Sequence, residues 1–322
     1  MDRLVSMLRA AGDPTRLRLL LLLRQAELTV SELIEIVGQS QPRVSRHLKL
    51  LGEAGLVERF KEGSWVFCRA ADRGTGAELG AAIAALADPT LQEADRARLA
   101  HVRQARANAA AAYFKSNAAE WERIRALHAP DKDVETAIAQ RLTTGSIENF
   151  LDAGTGTGRM LELIAPHARR AVGIDVSPDM LAIARDRLLR GDIQNAQVRL
   201  GDTYRLPFPN GAAGAGFDVV LFHQVLHYLD DPGAAVAEAA RVMAPGGRLL
   251  IADFAPHRLE FLRDEFAHRR LGFSDREVES WFAAANLAQA GSETIAPASE
   301  GEKLTVKLWL ATAKAKSKKE AA

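Results

Sequence analysis

Residues 150–158 read FLDAGTGTG, an apolar run breaking into three glycines that alternate with threonine. Glycine lets a chain turn sharply and brings its backbone against a ligand with no Cβ in the way. The next ten residues, RMLELIAPHA, carry a helical apolar pattern. A strand, a glycine turn and a helix in that order place the turn at the carboxyl edge of a sheet, where α/β folds hold nucleotides. Reading on, RAVGID ends at Asp175, twenty-one residues past Gly154. A carboxylate at that strand tip can accept both hydroxyls of a ribose. QVRLGD ends at Asp202, and Thr203 follows, a pair placed to meet an adenine amino group. FDVVLFH is a fourth strand, a helix starts near Asp231, APGG turns the chain, and RLLIADF and KLTVKLWLATA are further strands. Strand–helix alternation of this kind predicts an α/β domain with a doubly wound, Rossmann-like sheet. The loop spacing is G-x-G-x-G rather than the G-x-G-x-x-G that cradles a dinucleotide pyrophosphate.

Five segments carry a resemblance together: DAGTGTG, GIDVSPDMLAIAR, GDTYRLPFP, FDVVLFHQVLHYLDDP and VMAPGGRLLIADF. In that order they resemble the class I S-adenosylmethionine-dependent methyltransferases over roughly residues 110–310. The resemblance implies a site for S-adenosyl-L-methionine, or S-adenosyl-L-homocysteine, built from Asp152, Gly154, Gly156, Asp175, Asp202, Thr203 and Gln224. It puts Asp152 and Gly154 near the methionine end, and Gln224 and His227 beside the reacting sulfonium. Methyl transfer is an in-line displacement in which positioning dominates, and a base matters only where the acceptor holds its proton tightly. No single residue is therefore diagnostic of catalysis. The acceptor-side candidates are His223, His227, Tyr228 and His257, with His268 and Arg269 further on. His227 and Tyr228 either orient an acceptor or cap a helix beneath the donor. Arg263, Arg269 and Arg270 either meet a carboxylate ligand or pair with Glu260, Asp264 and Glu265. FDVVLF is not followed by a DPPY-type motif, which argues against a nucleobase amine acceptor, and the cysteines expected for arsenite methylation are absent.

The first third of the chain belongs to a different trade. DPTRLRLLLLLRQ starts a helix at Asp13, with Pro14 in its first turn. TVSELIEIVG is a second helix, with Leu33, Ile34 and Val37 as its apolar face and Gly38 as its stop. SQPRVSRHLKLLGEAGLVE is a third, capped by Ser40 or Gln41, with Val44, Leu48 and Leu51 inward. Its other face presents Gln41, Arg43, Ser45, Arg46, His47 and Lys49, which is helix-turn-helix logic. LVERFKEGSWVFCRA then forms a hairpin wing carrying Arg59 and Lys61. These seventy or so residues resemble the ArsR/SmtB family of bacterial repressors. The resemblance implies a homodimer on double-stranded operator DNA, its two recognition helices about 34–36 Å apart in successive major grooves. It implies that Gln41, Arg43 and Ser45 approach base edges while Arg46, His47, Arg59 and Lys61 hold phosphates. Metal-sensing members carry a cysteine pair in the helix occupied here by TVSELIEIV, which has none, so no metal site is expected.

Bulk properties fit two trades in one chain. The 322 residues suffice for two cores, and the net charge is +1. Residues 1–75 hold twelve Lys/Arg against nine Asp/Glu, a local excess suited to phosphates. Cys68 is the single cysteine, which excludes an intrachain disulfide, and its place on the wing reads as a half-buried strand position. MDRLVSMLRAAGD lacks a signal-peptide pattern and LRLLLLL is too short to span a bilayer, so a cytoplasmic protein with no membrane partner is expected.

Residues 76–145 read as helical and alanine-rich, with a Leu79, Ile83, Leu86 stripe and a Thr90–Glu93 capping box after Pro89. Tyr113 and Trp121 are candidates for an aromatic lid, or pack onto the next domain. The expected division is a winged helix-turn-helix at 1–75, a helical dimerisation, linker and lid segment at 76–145, a methyltransferase domain at 146–312 and a basic tail at 313–322. Two functions stay open: a repressor that senses S-adenosylmethionine or S-adenosylhomocysteine, and an active methyltransferase on a small-molecule acceptor with a regulatory DNA reader attached.

Overall fold

Asp13 opens the first long apolar run by capping it: its Oδ1 accepts from the Thr15 and Arg16 amides, both at 3.0 Å. A computed structural model describes residues 2–26, 28–62, 65–71, 74–88, 93–117, 131–211, 216–296 and 304–314. The chain divides into two units, Met1–Ala109 and Ala110–Ala322.

In the first unit, α1 (Asp2–Ala11) precedes α2 (Pro14–Leu23), which buries Leu19 through Leu23. α3 (Val30–Val37) begins at a Thr29/Glu32 capping box and stops at Gly38, whose φ of 68° only glycine adopts cheaply. Its buried face is Leu33, Ile36 and Val37, whereas Ile34 is half-buried. The stripe runs i, i+3, i+4 from Leu33, which puts Ile34 on its flank. α4 (Gln41–Glu53) follows Ser40 and turns Val44, Leu48 and Leu51 fully inward. β2 (Val57–Glu62) and β3 (Trp65–Ala70) form the wing hairpin, and β3 also pairs with the two-residue β1 (Leu28–Thr29). That extra pairing covers Cys68, which is wholly buried rather than half-buried.

α5 (Gly74–Leu86) corrects the apolar stripe expected there: Leu79 and Ile83 are partly covered, but Leu86 is 86% exposed. The helix instead leans in on its glycines. A Cβ at Gly76 would lie 2.0 Å from the Gly55 carbonyl oxygen. α6 (Glu93–Asn117) sends Leu99 and Val102 into the same core. The buried Asp95 receives the Arg18 guanidinium through two bonds of 2.7 Å. Arg98 donates to the Ile36 carbonyl at 2.9 Å, at the end of α3. The expected capping residue Thr90, Trp121 and the Tyr113 side chain lie outside the described residues.

In the second unit α7 (Asp131–Leu142) precedes a seven-stranded sheet. β4 (Ile147–Ala153), β5 (Ala168–Asp175), β6 (Ala196–Leu200), β7 (Phe217–His223) and β8 (Met243–Phe254) are parallel. β10 (Val306–Ala313) and β9 (Leu287–Ile295) close the other side antiparallel. The strands lie in the order β6-β5-β4-β7-β8-β10-β9. This is the α/β, Rossmann-like sheet expected beside a winged helix-turn-helix. Two details differ. APGG was expected as a turn before the fifth strand, yet β8 starts at Met243, with a register break that absorbs those residues. β9 was not anticipated, because LAQAGSETI at a sheet edge leaves most of its side chains exposed and carries no apolar signal. Apolar clusters cover both faces of the sheet, around Phe150 and Leu221 on one side and Phe222 and Trp309 on the other. Among the described residues no helix is long and apolar enough to cross a membrane.

Candidate functional sites in the two units

α4 presents Gln41, Arg43 and Arg46 to solvent along its first two turns, with Ser45 half-buried between them. His47 turns back instead: its Nδ1 lies 3.8 Å from Asp13 Oδ1, at the cap of α2. The Arg16 amide, with Arg16 and His47 nearby, holds the Asp13 carboxyl below its ordinary range. Arg59 and Lys61 are exposed on β2, while the wing tip at Gly63 and Ser64 lies outside the described residues. Gln39, which had no role in the sequence reading, ties the turn to α2 by donating to Thr15 Oγ1 at 2.9 Å. Burial pushes the Cys68 thiol up to about 11, and no thiolate is available there at neutral pH.

The second unit's candidates gather at the carboxyl ends of its parallel strands. Gly154, Gly156 and Gly158 follow β4, all with positive φ (80°, 52° and 80°). A Cβ on Gly154 would stand 2.4 Å from Val225 Cγ2. Asp152 is buried and accepts the Thr155 hydroxyl at 2.6 Å, which fixes the loop on its strand. Asp175, at the tip of β5, accepts the Gly156 amide at 2.8 Å and the Ser177 amide at 2.9 Å, one on each oxygen. Burial raises its pKa, and the backbone bonds from Ser177 and Gly156 oppose that rise. Each oxygen has a second lone pair, enough for a pair of vicinal hydroxyls. Ser177 is an unforeseen contributor. It caps the helix Pro178–Arg190 and aligns the Asp175 turn.

Asp202 stands beyond the end of β6, not on it, and is exposed, accepting the Tyr204 amide at 2.9 Å; Thr203 is buried. Tyr204 also went unpredicted. Its hydroxyl accepts the Asp231 amide at 2.9 Å, and burial raises its pKa. Gln224 follows β7 with φ 52°, its amide N–H bonded to the Ala252 carbonyl at 2.7 Å. Its side-chain amide is buried, and neither polar atom has a partner among the described residues. Non-glycine residues at positive φ cost energy and concentrate at functional sites. A buried amide with nothing to bond is a ligand contact in waiting. These residues fit a nucleoside carrying an amino-acid tail.

His223 and His227 are both buried. His227 Nδ1 lies 2.7 Å from Asp253 Oδ1, with both side chains almost wholly covered. Asp253, at the end of β8, was quoted in the sequence within RLLIADF but given no role. The signal was a lone acid closing an apolar strand next to the one that ends in His223. Around His227 lie the rings of Tyr228 at 4.1 Å, His268 at 4.2 Å and Phe254 at 4.9 Å. His257 accepts the Leu259 amide at 3.3 Å, and burial, then the charges of His227 and Arg263, lower its pKa to about 4. The arginines expected near a ligand pair internally: Arg263 with Glu260 at 3.6 Å, Arg269 with Asp230 at 2.7 Å and Arg270 with Glu277 at 2.8 Å.

Two family models match these two regions, one described as bacterial regulatory protein, arsR family, over residues 13–59, the other as methyltransferase domain, over residues 151–251. The chain carries an ArsR-family helix-turn-helix domain and a methyltransferase domain. Among curated relatives, the demethylmenaquinone methyltransferase of Tropheryma whipplei (strain Twist) is 38% identical over 124 residues, covering 38% of this chain and 48% of the relative. The 27-O-demethylrifamycin SV methyltransferase of Amycolatopsis mediterranei (strain S699) is 33% identical over 119 residues, 36% of this chain and 42% of the relative. The chain thus spans about half the length of the curated relatives it matches. Among solved structures, one from a complex of the Haloferax volcanii Trm112 methyltransferase activator with a methyltransferase has a TM-score of 0.54 at 21% identity, covering 65% of this chain and 99% of that one. The [4+2]-cyclase SpnF has a TM-score of 0.50 at 18% identity, covering 57% and 81%. At such identities the methyltransferase domain shares their fold and no more.

Proposed function

We propose that this protein is a DNA-binding transcriptional regulator, a homodimer on its operator, whose methyltransferase domain binds S-adenosylmethionine or S-adenosylhomocysteine. In this reading nucleotide occupancy and DNA affinity are linked. The observation that carries it is the joint placement of Asp175, the glycine loop and the partnerless Gln224 amide at one sheet edge, in a chain that also displays Arg43 and Arg46 on a recognition helix. S-adenosyl chemistry is what the domain family handles. A nucleoside ribose suits the acceptor capacity that remains on Asp175.

The test is calorimetric titration of each nucleotide, with and without a duplex that the protein has selected from a random library. Linkage of about 1–3 kcal/mol is expected, and DNA must change nucleotide affinity by the same factor as nucleotide changes DNA affinity. Asp175→Ala should weaken both nucleotides together by about 1.5–3 kcal/mol, because they share the ribose. Equal affinities with and without DNA would rule out linkage. A second reading, an active small-molecule methyltransferase with a DNA reader attached, is favoured by the buried His227–Asp253 pair and by relatives named for small-molecule methylation.

A further inference from the structure

Asp253 makes three contacts. Oδ2 accepts the Leu226 amide at 3.0 Å, while Oδ1 accepts the Phe254 amide at 2.8 Å and faces His227 Nδ1 at 2.7 Å. A carboxylate that already accepts two backbone amides faces the ring as an acceptor. Nδ1 of His227 therefore carries the hydrogen, and Nε2 is left as a bare lone pair. That lone pair is buried and has no partner among the described residues. Burying an acceptor unsatisfied is costly, so its persistence calls for a use. The backbone holds the ring from behind as well. The Arg269 and Arg270 amides both donate to the His227 carbonyl, at 2.9 and 3.1 Å.

We propose that His227, held in one tautomer by Asp253, is the proton acceptor for methyl transfer to a phenolic hydroxyl. This rests on the reading that the domain binds S-adenosylmethionine, and it adds an activity and a substrate class to that reading. The oxygen attacks the methyl carbon, the C–O bond forms, and the C–S bond breaks with its electron pair going to sulfur. The hydroxyl proton passes to His227 Nε2, and the imidazolium is stabilised by Asp253. The products are an aryl methyl ether, the neutral thioether nucleoside and a proton on His227, later lost to water.

Three observations select a phenol. An amine attacks with its own lone pair and needs no base beforehand, whereas a hydroxyl does. An imidazole base is far better matched to a phenol than to an aliphatic alcohol, whose proton is held much more tightly. The His227 imidazole lies among flat rings, those of Tyr228, Phe254 and His268, a setting that suits a planar acceptor. Of the other titratable groups near it, His257 is neutral at physiological pH because its pKa is lowered to about 4. Arg263 faces Glu260, at 3.6 Å. His227 is therefore where the transferred proton is best held, beside the Asp253 carboxylate.

The test uses the full chain labelled with [15N]histidine, together with 4-nitrophenol, whose phenolate is coloured. In the free protein, long-range 1H–15N spectra should show His227 as the Nδ1–H tautomer. Adding 4-nitrophenol below its own pKa should protonate Nε2 and bring up the phenolate absorbance, with no nucleotide present. Asp253→Asn should lower the phenolate signal at least ten-fold. With S-adenosylmethionine and simple phenols it should cut kcat about 100-fold or more with little change in KM. That loss should recover as pH rises toward the phenol pKa, where the base is no longer needed. A merely structural defect would not be rescued by pH. If Asp253→Asn fails to fold, the wild-type tautomer and the phenolate signal still decide. An Nε2–H tautomer, or bound nitrophenol that stays protonated, overturns the proposal. Neither readout involves nucleotide, so failure to bind S-adenosylmethionine, seen separately by calorimetry, would instead overturn the reading beneath it.

Discussion

The recognition helix of the first unit and the carboxyl edge of the second unit's sheet deploy their polar groups in opposite ways. Gln41, Arg43 and Arg46 stand in water, on a helix whose other face is fixed by Val44, Leu48 and Leu51. Gln224 and His227 are almost wholly buried, with polar atoms that no group among the described residues satisfies, beside a glycine loop too tight for a Cβ. The first surface costs the fold almost nothing to display, since exposed charges are already solvated. The second is costly to the empty protein and suits a ligand that arrives with complementary groups. Substitutions on α4 should therefore change binding without changing stability, whereas those at the sheet edge should change both.

The strongest way to break that contrast is Gly154→Ala. A side chain there must occupy φ 80° and meet Val225 Cγ2 at 2.4 Å. Left-handed strain and overpacking together should destabilise the second unit by about 2–5 kcal/mol. Nucleotide binding should fall with it. Urea unfolding and nucleotide calorimetry on the same preparation check this. A variant as stable as the parent would show that the loop is looser than its backbone geometry requires.

Arg43→Ala is the counterpart in the first unit. It should weaken binding to a selected duplex by about 1–3 kcal/mol if the guanidinium is bidentate to a guanine, and relax preference at that base pair. Stability should stay within about 0.5 kcal/mol of the parent, as for other exposed positions. Anisotropy titrations at fixed salt, paired with a thermal melt, read both quantities. A large fall in melting temperature would mean that Arg43 is holding the fold as well as reading DNA.

The same contrast explains what was legible in the sequence. The helix-turn-helix was readable because each of its signals is local: Asp13 and Thr29 cap helices, Gly38 stops one, and Val44, Leu48 and Leu51 repeat at helical spacing. The glycine loop and Asp175 were readable because they sit at the ends of apolar strands. Asp253 was not, since its meaning depends on His227, twenty-six residues earlier on a neighbouring segment. Ile36 and Leu86 went astray for a related reason. Helical periodicity marks a stripe, but tertiary packing decides which edge of the stripe is covered, and at α5 the close approach is made by Gly76. His47 was expected toward DNA by resemblance, yet its ring turns toward Asp13, a contact that helical spacing on α4 does not reveal.

The smallest of the effects is also the one whose sign is most tightly constrained. His257 sits beside the His227 pair with its pKa lowered to about 4, by burial first and then by the charges of His227 and Arg263. In the unfolded chain it titrates near 6.5. Between those values the unfolded state binds a proton that the folded state refuses, so stability must fall as pH falls through that window. Above pH 6.5 both states are neutral at this position and it contributes no slope. Below about 4 both are charged and the loss is complete. From pH 7 to pH 5 the second unit should lose about 1–2 kcal/mol through this group. His257→Gln keeps a polar side chain but cannot titrate, so its urea midpoint should change less over that interval than the parent's. On α4, Arg43→Ala should leave the slope unaltered, because that substitution does not touch His257. If His257→Gln tracks the parent from pH 7 to pH 5, the sheet edge is more solvated than its buried histidines imply, and the contrast between the two surfaces is one of position rather than of polarity.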